Sequence, residues 1–81
     1  MTVQILLFAA AREVASESTV RVELLDGATC GELKTALAAQ YPALAPLINV
    51  SRVAAGGEFV SDDSPVDAKA ELALIPPVSG G

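Results

Sequence analysis

The chain has 81 residues, with ten acidic and five basic side chains, one cysteine and no histidine. A net charge of −5, with its cations scattered at Arg12, Arg21, Lys34, Arg52 and Lys69, argues against nucleic-acid binding, because phosphates need clustered Lys and Arg. The missing histidine removes the commonest general base and transition-metal ligand, and a single cysteine leaves no internal disulfide and no zinc-ribbon spacing.

This length supports one small domain with a modest core. A hydrophobic fraction of 52% implies a packed globule, with some apolar surface left over to cover a partner. An acidic body suits partners with basic grooves. The free cysteine fits a reducing cytoplasm. Ile5 to Ala11 resembles a signal-peptide core, but no Lys or Arg precedes it and it is far too short to span a membrane, so it reads as a strand.

In chain order, Val3, Ile5 and Leu7 alternate with Gln4, Leu6 and Phe8. Both faces are largely apolar, which predicts a central strand. Ala9 to Ala15 reads as a short helical turn or wide connection. Thr19 to Leu24 alternates cleanly, placing Val20, Val22 and Leu24 inward and Thr19, Arg21 and Glu23 outward on a half-exposed strand antiparallel to the first. Asp26-Gly27 marks a turn. Thr29 to Glu32 is a capping box, after which Cys30, Leu33, Leu37 and Tyr41 fall at helical spacing beside Ala36. Pro42 ends this helix near Gln40, and another helical turn is expected between Ala43 and Leu47. Ile48 to Ala55 reads as a strand, Gly56-Gly57 as a tight hairpin turn and Glu58 to Ser61 as a short return strand. Asp62 to Pro65 is a loop, Val66 to Ala68 is compatible with a single turn, and Glu71 to Ile75 is the final strand.

One main helix has one stripe to bury, and a mixed sheet offers it a face. The order predicts an α+β fold of the ubiquitin-like β-grasp type over residues 1–75, with the last strand beside the first in the sheet centre. Residues 76–81 form a separate C-terminal diglycine tail, expected to be flexible beyond its prolines. Pro76 and Pro77 cannot donate to a sheet, so they stop the last strand and project the remaining residues as an arm. Val78, Ser79, Gly80 and Gly81 continue without charge. A terminal glycine carries its carboxylate on the main chain with no side chain beside it, so it can thread a narrow channel. A frayed polar tail is the ordinary alternative; the apolar, proline-stiffened composition favours a tail delivered to another protein's active site.

Two segments carry a family resemblance. Leu7-Phe8-Ala9-Ala10-Ala11-Arg12-Glu13 and Ile75-Pro76-Pro77-Val78-Ser79-Gly80-Gly81 resemble the MoaD-type small subunit of molybdopterin synthase, one of the β-grasp sulfur carriers. The chain departs from that pattern at Gly56-Gly57, where an Asn-Gly type turn is common, and at Asp67-Ala68-Lys69-Ala70, where an Asp-Gly-Asp turn is common.

The resemblance implies a cycle in which a MoeB-type activating enzyme uses ATP to adenylate the Gly81 carboxylate, and a sulfur donor converts it to a thiocarboxylate. The tail from Pro76 to Gly80 then enters a channel in a MoaE-type large subunit, where sulfur passes to cyclic pyranopterin monophosphate to form the dithiolene of molybdopterin. The implied assembly is a heterotetramer with two central large subunits. The small subunit has no bound cofactor or metal, contacts neither membrane nor nucleic acid, and has little activity alone. Phe8, Arg12 and Ile75 are the expected interface residues. Three alternatives stand beside this one: a sulfur carrier for thiamine-thiazole or cysteine synthesis, a ubiquitin-like protein modifier, and a binding module whose tail merely docks.

The remaining candidates have ordinary readings. Cys30 at a helix start could carry a persulfide, but its place on the apolar stripe with Leu33 and Leu37 favours core packing. Arg12-Glu13 is either a docking pair or a solvated one. Asp62, Asp63 and Asp67 lack the spacing of a calcium loop and read as solvated.

Overall fold

The computed structural model describes residues 1–77. The expected tail positions Val78, Ser79, Gly80 and Gly81 lie outside the described residues. Five strands form one mixed sheet in the order β2-β1-β5-β3-β4. They are β1 (Thr2–Leu7), β2 (Thr19–Glu23), β3 (Arg52–Ala55), β4 (Glu58–Val60) and β5 (Leu72–Ile75). The helices are α1 (Ala9–Ala15), α2 (Cys30–Gln40) and α3 (Ala45–Ile48), with a 3-10 turn over Pro42–Leu44.

β5 occupies the middle of the sheet. It runs parallel to β1, with Ile5 opposite Leu72 and Leu7 opposite Leu74, and antiparallel to β3, with Val53 opposite Leu74 and Arg52 opposite Ile75. β1 and β2 pair antiparallel, Val3 facing Val22 and Ile5 facing Val20. One sheet face therefore collects Val3, Ile5, Leu7, Val20, Val22, Val53, Leu72 and Leu74, all buried. Cys30, Leu33 and Leu37 of α2, together with Leu44 and Ile48, pack into the same core. Full burial of each Leu or Ile is worth roughly 1.5–3 kcal/mol, so this face supplies the main stabilisation.

Both faces of β1 were expected to be apolar because the strand is central. The second face proves to be uncovered: Thr2 and Gln4 are exposed there, and it turns apolar only toward Leu6 and Phe8. Periodicity shows which residues share a face, but not whether a second layer covers it.

The strand expected over Ile48–Ala55 is shorter: Ile48 ends α3, Asn49 and Val50 form a turn, and Ser51 precedes the strand. Pro46 stands in the first turn of α3, where its missing N–H costs nothing. The Asn49 amide donates to the Ala45 carbonyl. The buried Ser51 hydroxyl donates to the Leu47 carbonyl at 2.7 Å, satisfying the end of that helix. The strand starts only at Arg52. A short apolar run such as Leu47 to Val50 reads equally well as helix or strand, and here the proline and the serine decide.

The hairpin is as expected. Ala55 pairs with Glu58, and Gly56 and Gly57 carry φ of +59° and +85°, the two left-handed residues a type I′ turn demands.

The N-terminus of α2 is fully capped. Glu32 N–H donates to Thr29 Oγ1 at 3.2 Å, and Thr29 N–H donates to Glu32 Oε1 at 2.9 Å, closing the capping box. The Cys30 and Gly31 amides donate to the Ser64 and Asp62 carbonyls, at 2.8 and 2.9 Å. The 62–64 loop is thus part of the helix cap. Any Cβ at position 31 would stand 3.2 Å from the Asp62 carbonyl oxygen, which accounts for glycine in this first turn. Thr29→Ala removes one half of the box and is expected to lower unfolding free energy by about 1 kcal/mol, measured as a lower urea midpoint at unchanged slope.

Candidate functional site

The helices cover one sheet face; the other presents two regions. Toward β2 it is polar, with Thr2, Gln4, Thr19 and Arg21 around a broad open depression. Toward β3 and β4 it is apolar. Phe8, Ala54, Gly57, Phe59, Glu71, Ala73 and Ile75 line a shallow concavity there, and its two phenylalanines are 43% and 53% exposed. Large aromatics left this open, clustered with other apolar groups, mark an interaction surface.

Local geometry builds the patch. Ala54 faces Ala73 on one side and Phe59 on the other, so small residues floor the concavity and the aromatic rises at its rim. Phe8 follows the last residue of β1 in extended conformation, which keeps its ring on the open face. The next residue, Ala9, takes φ +51° and turns the chain away into α1. Arg52, opposite Ile75, lays its guanidinium over the Phe59 ring, 4.1 Å from the centroid. β5 ends at Ile75, so the chain leaves the sheet from the border of this patch through half-buried Pro76 and exposed Pro77.

Phe8 and Ile75, both expected at an interface, are thus brought together. Arg12 is exposed on α1 and is not among the residues lining the concavity. Pro76 and Pro77 sit where the tail was expected to start, and the rest of that tail lies outside the described residues. Sequence reasoning missed Phe59, Ala54, Ala73 and Arg52. A signal for Phe59 was available, since a two-residue Gly-Gly loop pairs position 54 with 59 and sets Phe59 on the same sheet face as Ala54.

Cys30 is buried in the core at the start of α2. Burial pushes its thiol pKa up, and the Asp62 carboxylate adds to the shift. Both oppose the thiolate that persulfide chemistry needs. Asp62 itself pairs with Lys34 at 3.4 Å and gives its carbonyl to the helix cap, an ordinary structural role. Among the described residues no helix is long and apolar enough to cross a membrane, and no group of three or more His, Cys, Asp or Glu is placed to hold a metal.

This arrangement defines a ubiquitin-like β-grasp domain with one open sheet face and the chain emerging beside it. The ThiS family model matches residues 5–81, and the chain belongs to the ThiS family. It is 37% identical over 81 residues to the molybdopterin synthase sulfur carrier subunit of Dictyostelium discoideum, covering 96% of this chain and 94% of that one. It is 36% identical over 83 residues to the same subunit of Chlamydomonas reinhardtii, covering both chains in full. Among solved structures, SAMP1 of Haloferax volcanii superposes with a TM-score of 0.85 at 36% identity over the whole of both chains. A chain from the complex of subunits 1 and 2 of the molybdopterin-converting factor of Helicobacter pylori shares the fold, with a TM-score of 0.67 at 20% identity and full coverage of both chains.

The shifted thiol makes stability depend on pH. An unfolded cysteine ionises near pH 8.5, at roughly its free value, whereas the folded thiol stays protonated to higher pH. Below that point both states hold the proton and the group adds no slope. As pH rises above it the unfolded state alone loses the proton, so the Cys30 contribution weakens toward the folded pKa. Cys30→Ala is expected to flatten the fall in stability as pH rises above about 8.5, read from urea midpoints. Native Cys30 should resist iodoacetamide at pH 8 and react only in denaturant.

Proposed function

We propose that the chain is the sulfur-carrying small subunit of a molybdopterin synthase, with Gly81 as the acyl group that carries the sulfur. The observation that carries this reading is the family match, which runs through Gly81 and is joined by near-full-length likeness to named sulfur carrier subunits. The apolar patch beside the chain's exit supports it, because a partner seated there would receive the tail directly.

The chemistry follows from the terminal carboxylate. Its pKa is about 3.5, so at neutral pH it is an anion and a poor electrophile. An activating enzyme overcomes this when the carboxylate oxygen attacks the α-phosphorus of ATP and pyrophosphate leaves. A sulfur nucleophile then attacks the acyl carbon of the adenylate, AMP departs, and a thiocarboxylate remains. In the large subunit that sulfur attacks a carbon of the pterin precursor and displaces an oxygen substituent, and water then cleaves the Gly81 acyl–sulfur bond, leaving the sulfur on the pterin and returning the carboxylate. Acid, base and positioning groups come from the partners, so this domain requires none. The complex of subunits 1 and 2 named for the Helicobacter pylori protein is the precedent for a large-subunit partner.

A second reading, a ubiquitin-like modifier, is favoured by the likeness to the Haloferax volcanii small archaeal modifier protein. It uses the same activation but ends on a lysine amine, forming an isopeptide.

Intact-mass spectrometry after incubation with a MoeB-type enzyme, ATP and a sulfur donor is expected to show one oxygen-to-sulfur exchange at Gly81. Sulfur transfer to the pyranopterin precursor with a MoaE-type subunit supports the first reading; isopeptide conjugates without that transfer support the second. Gly81→Ala is expected to block transfer while leaving the melting temperature unchanged, because the added methyl obstructs the channel and not the core. Phe59→Asp should weaken large-subunit binding by at least about tenfold without unfolding the exposed β4 edge, as loss of a central aromatic anchor does, measured by calorimetric titration.

A further inference from the structure

Arg52 stands apart from the other cations. It rises from the open sheet face beside Ala54 and lies over the Phe59 ring at 4.1 Å. Its cross-strand neighbour is Ile75, the last residue of the strand that leads into the tail. Among the described residues no carboxylate lies within ion-pairing distance of it, as is true of Arg12, Arg21 and Lys69 also, whereas Lys34 and the N-terminal amine each have an acidic partner; what sets Arg52 apart is its stack on an exposed aromatic ring. Its neighbours on this face are mainly apolar, Phe59, Ala54, Ala73 and Ile75; the one carboxylate lining the concavity, Glu71, forms no ion pair with it.

When a partner covers such a patch, the guanidinium loses water while facing only an aromatic ring. Ring stacking offsets part of that cost, but an unpaired buried charge remains strongly unfavourable. An arginine retained here requires an acceptor from the other side of the interface. Resting on the reading under Proposed function, we propose that Arg52 is a specificity-determining residue of the docking face, and that the large subunit presents a carboxylate to it beside the entrance of the tail channel. The body is acidic overall, so a complementary partner groove is expected to be basic around its rim. One acid within that groove would be satisfied only in the register that sets it against Arg52. Because Arg52 and Ile75 are cross-strand neighbours, that register also sets where the tail departs. A groove lacking the acid would be rejected, since it would bury the cation unpaired.

The test is calorimetric titration of the cognate large subunit with the full chain and with Arg52→Met, Arg52→Lys and Arg52→Glu variants, at low and high salt. Arg52 is exposed, and Met keeps the apolar stem over Phe59, so all variants should melt near the wild type. The expected result is a roughly 10- to 100-fold loss of affinity for Arg52→Met, a smaller loss for Arg52→Lys and the largest for Arg52→Glu. Neutralising the opposing acid of the large subunit should restore binding to Arg52→Met. Wild-type affinity in Arg52→Met, or equal losses for Lys and Met, would overturn the proposal while leaving the carrier reading intact. Failure of the wild-type chain to bind at all would overturn the carrier reading and this inference with it.

Discussion

The structure depends on the placement of β5 between β1 and β3. Its residues Leu72 to Leu74 are paired on both sides, parallel to β1 and antiparallel to β3, and Ile75 pairs with β3 alone. Leu72 and Leu74 point into the core, where they meet Ile5, Leu7 and Val53 across the strands. Ala73 and Ile75 point the other way and floor the docking face. The same short strand therefore anchors the hydrophobic core, shapes the exposed patch and fixes where the chain leaves the sheet. Pro76 and Pro77 end it because neither can donate to a ladder. The point where the chain leaves the sheet is thereby fixed, since Leu72 to Leu74 cannot shift without breaking two sets of backbone hydrogen bonds.

Coverage of only one sheet face follows from the single amphipathic helix. α2 has one apolar stripe, spent on the inner face with Leu44 and Ile48. No second layer is present among the described residues, so apolar side chains on the outer face meet solvent. That face divides into a polar region near β2 and an apolar one near β4.

Cys30 and the 62–64 loop show how a reactive-looking feature becomes structural. A thiol at a helix N-terminus is often activated, yet here the helix amides are already committed to Thr29, Asp62 and Ser64. With the thiol buried and a carboxylate nearby, ionisation is opposed rather than favoured. The acidic loop likewise takes its role from its carbonyls and from the pairing of Asp62 with Lys34.

Most elements of the fold were legible in the sequence, because each has a local cause. The capping box at Thr29 and Glu32, the Gly56-Gly57 turn, the alternation from Thr19 to Leu24 and the prolines after Ile75 act over a few residues, and the structure keeps them all. Phe8, through the family resemblance, and Ile75, as the end of the final strand, were singled out in the sequence, and the structure sets both along one open concavity. What tertiary structure alone decided is non-local. Alternation set the parity of β1 but not that its second face would lie open, because coverage depends on how many helices the chain can bring to the sheet. The apolar run before Arg52 was turned to helix by the hydrogen bonds of Ser51 and by burial of Ile48 against α2. The Gly56-Gly57 hairpin brings Arg52 over Phe59 locally, but Ile75 stands beside that pair only because β5, distant in sequence, pairs with β3 in one register, which depends on the packing of the whole core and which no local pattern encodes.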